Sequence, residues 1–239
     1  MDSSSKDNTS NDVSLIKVHG SLMLVAWLFF ATNGIFTSRY LKNMLSKRIN
    51  GYSVWFGLHQ ICMLATWCLS VISTIIMFVG HGFEALKKDK IKQNPHSLFG
   101  ILTIILVFFQ PLMACFQPQK TSSYRKWFDF MYSLIELTCI ILSLCAIFLA
   151  TNLEQAHLDT SSKTLMYFFI GFLIICDQVM SIINKNNLGI PAKVMYLTFI
   201  VGTFVMTCLA MFFLLLWNKR INYLSKIKYL TCYMIINFI

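Results

Sequence analysis

The sequence predicts an all-α protein, a polytopic membrane helical bundle of about six transmembrane helices. Hydrophobic residues make up 56% of the 239-residue chain and charged residues only 13%, a balance foreign to water-soluble domains. The apolar residues fall into runs at 15–38, 52–80, 97–116, 130–150, 165–183 and 194–217. Each is close to the roughly 20 residues with which a helix crosses about 30 Å of hydrocarbon. The stretches between them are short and polar, as loops at a membrane surface are.

The first fourteen residues, MDSSSKDNTSNDVS, form a polar segment with neither a basic n-region nor a short apolar h-region of their own. No cleavable signal peptide is expected, and the first span serves as a signal-anchor. Asn8-Thr9-Ser10 matches a glycosylation acceptor, a tripeptide common by chance. The first span carries His19 in its opening turns, with Arg39 and Lys42 closing its far end. The second begins near Tyr52 and holds His59 about two turns inside, where an unpaired imidazole is costly and usually functional. His81 and His157, in the polar stretches after the second and fourth runs, read as ordinary loop histidines.

The third span, within PHSLFGILTIILVFFQPLMACFQP at 95–118, has His96 at its mouth and a single kink signal, Gln110-Pro111, near its far end. The fourth starts within YRKWFDFMYSLIELT at 124–138, which contains Glu136; the fifth contains Asp177. Either acid needs a partner inside the bundle or sits protonated. A further span covers 186–217, and the basic and apolar tail at 218–239 suits a segment lying on the membrane. Six of the eight cysteines lie inside apolar runs without CxxC spacing and read as small buried hydrophobes. Cys115 and Cys232 sit nearer the interfaces and receive no role.

The net charge of +10 is spread over loops and tail, where it meets anionic membrane lipid. No nucleic-acid motif is present, so nucleic acid is not expected as a partner.

Consecutive short-looped helices run antiparallel, which puts His19 and His96 on one membrane face. Imidazole is a usual ligand of haem iron, so this pair suits a haem; the plainer alternative is an interfacial histidine bonded to a neighbouring loop. By the same parity His59 faces the start of the fourth span, which offers Met131 and Tyr132 but no histidine. At 1.5 Å per residue the two levels lie roughly 20 Å apart, far enough to carry an electron across most of a bilayer.

The segments HGSLMLVAW at 19–27, WFGLHQ at 55–60, PHSLFGI at 95–101, QP at 110–111 and RKWFDF at 125–130 together resemble the cytochrome b561 transmembrane module. The likeness is to the ferric-chelate reductase (stromal cell-derived receptor) branch in particular, and it spans about residues 15–185. The resemblance implies a four-helix core holding two b-type haems, each between two histidines. Electrons would pass from a cytosolic donor such as ascorbate to a ferric chelate on the far side. It implies His19 and His96 as axial ligands of the non-cytoplasmic haem and His59 as one ligand of the cytoplasmic haem. The family's fourth histidine follows an F-N-x-x-H pattern, and Phe128-Asp129-Phe130-Met131-Tyr132 puts Tyr132 in its place. The family glycine four residues later is Glu136. Tyr132 as a phenolate, Met131 as a thioether, a five-coordinate haem and no haem all stay open at this position, and loss or alteration of the cytoplasmic haem is the favoured expectation.

Two functions follow from different residues. His19 and His96 point to a transmembrane haem oxidoreductase of ferric-chelate reductase type, with one haem b expected and a second allowed. Tyr132 and Glu136 point to a one-haem or non-catalytic bundle of the same fold that acts through partners. A homodimer is compatible with both. A transporter is disfavoured, because the first four spans lack matched Gly/Pro-broken pairs. Lys and Arg are almost evenly divided between the two faces, so charge leaves orientation open. The resemblance implies an outside amino terminus, in a plasma or vesicle membrane. Relatives in that branch carry extracellular domains before the membrane module, so the chain is expected to be either a minimal form or a piece of a longer product.

Overall fold

The computed structural model describes the backbone of residues 3–42, 44–49, 51–82, 94–119, 121–153, 160–186 and 188–236, and the side chains between 14 and 215 within those ranges except that of His81. The chain forms α1 (Ser3–Leu24), a π-helical stretch (Val25–Ala31), α2 (Thr32–Tyr40), a two-stranded hairpin of β1 (Arg48–Ile49) and β2 (Tyr52–Ser53), α3 (Val54–His81), α4 (Pro95–Cys115), α5 (Arg125–Ala150), α6 (Thr160–Lys185) and α7 (Gly189–Ile236). Among the described residues six helical stretches are long and apolar enough to cross a membrane: Ser14–Tyr40, Val54–Gly80, Pro95–Cys115, Arg125–Ala150, Thr160–Lys185 and Gly189–Leu215. The protein is a multi-pass membrane protein. Its outer face carries exposed large apolar side chains such as Ile61, Leu64, Phe108, Phe109, Ile175 and Val201, which suit contact with lipid tails.

The first span is the pillar on which the others pack. Its π-helical stretch displaces the regular ladder, and polar side chains one turn on take up the carbonyls. Thr32 Oγ1 donates to Leu28 O at 2.7 Å, and Asn33 Nδ2 donates to Phe29 O at 2.7 Å and to Thr203 Oγ1 of α7 at 2.9 Å. Three apolar clusters use this span. Leu24 and Leu28 meet Met166 and Phe169 of α6 and Leu214 of α7. Ala26, Trp27 and Ala31 meet Val107 of α4 and Cys139 and Ile140 of α5. Phe36, Tyr40 and Leu41 meet Cys176 and Met180 of α6 and Phe199 of α7.

Gly34 lets α3 come close. A Cβ there would stand 2.9 Å from Met63 Sδ and 3.0 Å from Cys62 Cβ, so only hydrogen fits without a shift of the neighbouring helix.

Three expectations shift at their edges. Tyr52 and Ser53 are strand residues, paired antiparallel with Ile49 and Arg48 around Gly51 at φ +85°, so the second span starts at Val54. His81 is not a loop residue but the last residue of α3, which ends at Gly82 with φ +62°. His157 lies outside the described residues. Residues 218–236 of the tail continue the helix of the sixth span; at 1.5 Å per residue α7 is about 70 Å long, more than twice the hydrocarbon thickness.

Candidate functional site

On one face of the bundle, α1 presents His19 and α4 presents His96, with ring centroids 6.5 Å apart and planes at 89°. His96 Nδ1 lies 2.8 Å from Ala146 O of α5. A carbonyl can only accept, so Nδ1 carries the proton and Nε2 is the basic nitrogen. His19 follows the same logic: its Nδ1 lies 3.1 Å from Ser73 O and 2.8 Å from Ser73 Oγ of α3, while Ser73 Oγ donates to His19 O at 3.0 Å. These are the bonds that orient metal-ligating histidines, where one ring N–H is anchored and the other nitrogen is presented.

The pair passes a simple dimensional test for haem. Two imidazoles bound to one metal at about 2 Å, with roughly 1 Å from each nitrogen to its ring centroid, hold their centroids about 6 Å apart. The observed 6.5 Å agrees, and both rings are half-buried among apolar helices. His19 and His96 therefore stand at the spacing of two imidazoles held on one metal.

On the other face, His59 of α3 is buried at 8% exposure and its Nδ1 donates to Gly34 O of α2 at 3.0 Å. It repeats the anchored geometry of the first pair, but among the described residues no imidazole answers it. Tyr132 is half-buried and its ring is stacked on Phe128 of the same helix, with centroids 6.2 Å apart. Among the described residues no ring contact joins Tyr132 to His59. The residue that α5 does bring to His59 is Glu136, whose Oε1 lies 3.9 Å from His59 Nδ1. Glu136 is 6% exposed and its Oε1 has no hydrogen-bond partner among the described residues. On this face a buried carboxyl stands beside the anchored nitrogen of the one histidine, and among the described residues no second imidazole is brought to it. Met131 is half-buried, and among the described residues no polar or ring contact ties it to His59.

The second intramembrane acid is differently placed. Asp177 Oδ1 accepts from Tyr40 OH at 2.6 Å and lies 3.2 Å from Arg39 Nη1, so it has the partners expected of such a residue. Ser73, Ala146 and Gly34 are the members of the site that sequence reading does not single out. Only Ser73 leaves a trace, as a small polar residue one or more turns deep in an apolar run. Among the described residues, no group of three or more His, Cys, Asp or Glu side chains is arranged to hold a bare metal ion.

Known proteins resemble the chain over most of its length. The chain is 30% identical over 167 residues to ferric-chelate reductase 1 of Bos taurus, covering 69% of this chain and 27% of that protein. It is 30% identical over 165 residues to ferric-chelate reductase 1 of Homo sapiens, again 69% of this chain and 27% of the relative. A cytochrome b561 and DOMON domain-containing protein of Arabidopsis thaliana is 24% identical over 143 residues, 59% of this chain and 33% of that protein. The chain thus spans about a quarter of the length of the ferric-chelate reductases it matches. No family model matches it, and no solved structure does.

Proposed function

Because the chain resembles the cytochrome b561 transmembrane domain of the ferric-chelate reductases, we propose that it is a b-type haem electron-transfer protein that takes part in reducing ferric chelates. A haem held between His19 and His96 would supply one-electron Fe(III)/Fe(II) chemistry. His19 and His96 are the residues that would hold it, each through Nε2. Ser73 and the Ala146 carbonyl keep each Nδ1 protonated and each ring in place. The electron donor is an ascorbate-like cytosolic reductant and the acceptor a ferric chelate at the His19 face, in a plasma or vesicle membrane, and transfer between them requires a relay at the level of His59, roughly 20 Å from the first pair.

The observation that carries this reading is the 6.5 Å separation of two imidazoles, each anchored through Nδ1. A second reading, a one-haem bundle that acts through partners and does not itself reduce iron, is supported by Glu136 beside His59.

Purified protein assayed as its pyridine haemochrome, with reduced α and β bands recorded, tests the haem site that both readings share. One haem per chain is expected, with a low-spin spectrum that is lost in His19→Ala and in His96→Ala but kept in His59→Ala. Size-exclusion elution of each variant reports whether the bundle is intact. Sharp low-spin bands persisting in both alanine variants at the first pair would overturn the ligand assignment. Vesicles loaded with ascorbate and offered ferric citrate outside test the activity, and a haem-loaded protein that transfers nothing supports the second reading.

A further inference from the structure

The first span meets α3 along one line of polar contacts. Ser73 Oγ donates to His19 O at 3.0 Å, Thr66 Oγ1 donates to Ala26 O at 3.3 Å, and His59 Nδ1 donates to Gly34 O at 3.0 Å. On α3 the contact residues 59, 66 and 73 are seven apart each time, the interval at which a regular helix comes back to one face about 20° short of two turns. On the first span the partners are 19, 26 and 34, an interval of seven followed by one of eight. Eight residues of regular helix would carry Gly34 about 80° past two turns, off the face that meets α3.

The π-helical stretch Val25–Ala31 lies in the longer interval, and its i→i+5 bonding puts more residues into a turn, so it takes up the extra one. In a regular helix the residue facing α3 at that level would be Asn33, seven on from Ala26. Asn33 could not serve there, because even a Cβ at position 34 would stand 2.9 Å from Met63 Sδ and 3.0 Å from Cys62 Cβ. Instead Asn33 is turned to α7, with Nδ2 2.9 Å from Thr203 Oγ1. Side chains just past the stretch pin this register: Thr32 Oγ1 donates to Leu28 O at 2.7 Å, with Phe29 O 3.1 Å away, and Asn33 Nδ2 donates to Phe29 O at 2.7 Å.

We propose that the π-helical stretch is a register device, in which Thr32 and Asn33 are positioning residues that turn Gly34 toward α3 and so fix the orientation of the His59 ring. One span then orients both histidine levels, carrying His19 itself and holding His59 through the Gly34 carbonyl. The device stands apart from the haem assignment and holds whether or not a haem is bound.

The test reads the register by cross-linking to native Cys62 in the full chain, in lipid nanodiscs treated with a membrane-permeant oxidant, with linked peptides identified by mass spectrometry. A cysteine at position 34 has its Cβ close to the roughly 3.5–4.5 Å that a disulfide requires, so Gly34→Cys should form the link. Thr32→Val with Asn33→Leu removes the pins and should lower the yield at position 34 about 10-fold, the loss of two hydrogen bonds. In the same register shift, Thr32→Val with Asn33→Cys should gain a link from position 33. Phe30 belongs to none of the three apolar clusters, and its deletion shortens the interval to seven, so that a regular helix brings position 34 back to α3. Deleting Phe30 should therefore leave the link intact in the pinned chain and restore it in the unpinned one, a rescue that loss of packing alone would not give. No link in Gly34→Cys itself, a link that survives loss of both pins, no gain at position 33, or a Phe30 deletion that abolishes the link or fails to restore it would each overturn the proposal.

Discussion

Ser73 and His19 are joined through three contacts. His19 Nδ1 lies 2.8 Å from Ser73 Oγ and 3.1 Å from Ser73 O, and the hydroxyl returns a bond to His19 O at 3.0 Å. Ser73 is fully buried, so water cannot take over its role. Ser73→Ala removes both contacts of the hydroxyl and leaves the carbonyl to accept from Nδ1. Loss of such a supporting group usually costs 10–100-fold in metal affinity, and with one acceptor left the expected loss of haem affinity is about 10-fold. Titrating the haem-free protein with haem measures it. An unchanged affinity would mean that the ring needs no positioning from α3.

The Arg39–Tyr40–Asp177 group has an order of importance set by burial. Tyr40 is 5% exposed and its hydroxyl reaches the carboxylate at 2.6 Å, whereas the Arg39 side chain is 57% exposed. A buried hydrogen bond to a charged group is worth about 1.5–3 kcal/mol, and an exposed ion pair about 0–1 kcal/mol. Tyr40→Phe should therefore lower thermal stability in detergent more than Arg39→Gln does. The opposite order would show that the ion pair, and not the hydroxyl, holds α2 to α6.

Most of the architecture was legible because bilayer thickness imposes it on composition: the apolar run at 15–38 became the span Ser14–Tyr40, and that at 97–116 became Pro95–Cys115. Span ends moved outward by up to five residues where polar groups continue the helix, as at Arg125, since a charged head on a long stem can reach the headgroups while its backbone stays helical. That His19 and His96 share one membrane face followed from helix parity alone. What parity could not supply is rotation about each helix axis. Tyr132 and Glu136 sit one turn apart on α5, and only the packing of Ile140 and Cys139 against the first span settles that Glu136 is the one turned toward His59. The π-helical stretch was also invisible, because it depends on Thr32 and Asn33 bonding back to carbonyls rather than on any apolar period.

Glu136 sets the last prediction. Its Oε1 is buried without a hydrogen bond among the described residues, and His59 Nδ1, 3.9 Å away, already donates to Gly34 O. An unsatisfied buried polar group costs about 1–3 kcal/mol, so Glu136→Leu should raise thermal stability by that order. The same carboxyl lies 3.9 Å from the anchored Nδ1 of His59, close enough to crowd a group bound at that ring. Tyr132→His alone should add little haem, because the ring at 132 is packed along α5 against Phe128 and Glu136 is unmoved. Tyr132→His with Glu136→Gly clears that space and supplies an imidazole on the same helical face. The double variant should raise haem toward two per chain, by more than the two single changes added together. Haem per chain from the pyridine haemochrome, with a second low-spin signal by electron paramagnetic resonance, reads the outcome. Wild-type protein that already holds two low-spin haems would show that Glu136 moves aside for a ligand, and the stabilisation expected of Glu136→Leu would then come with a loss of haem.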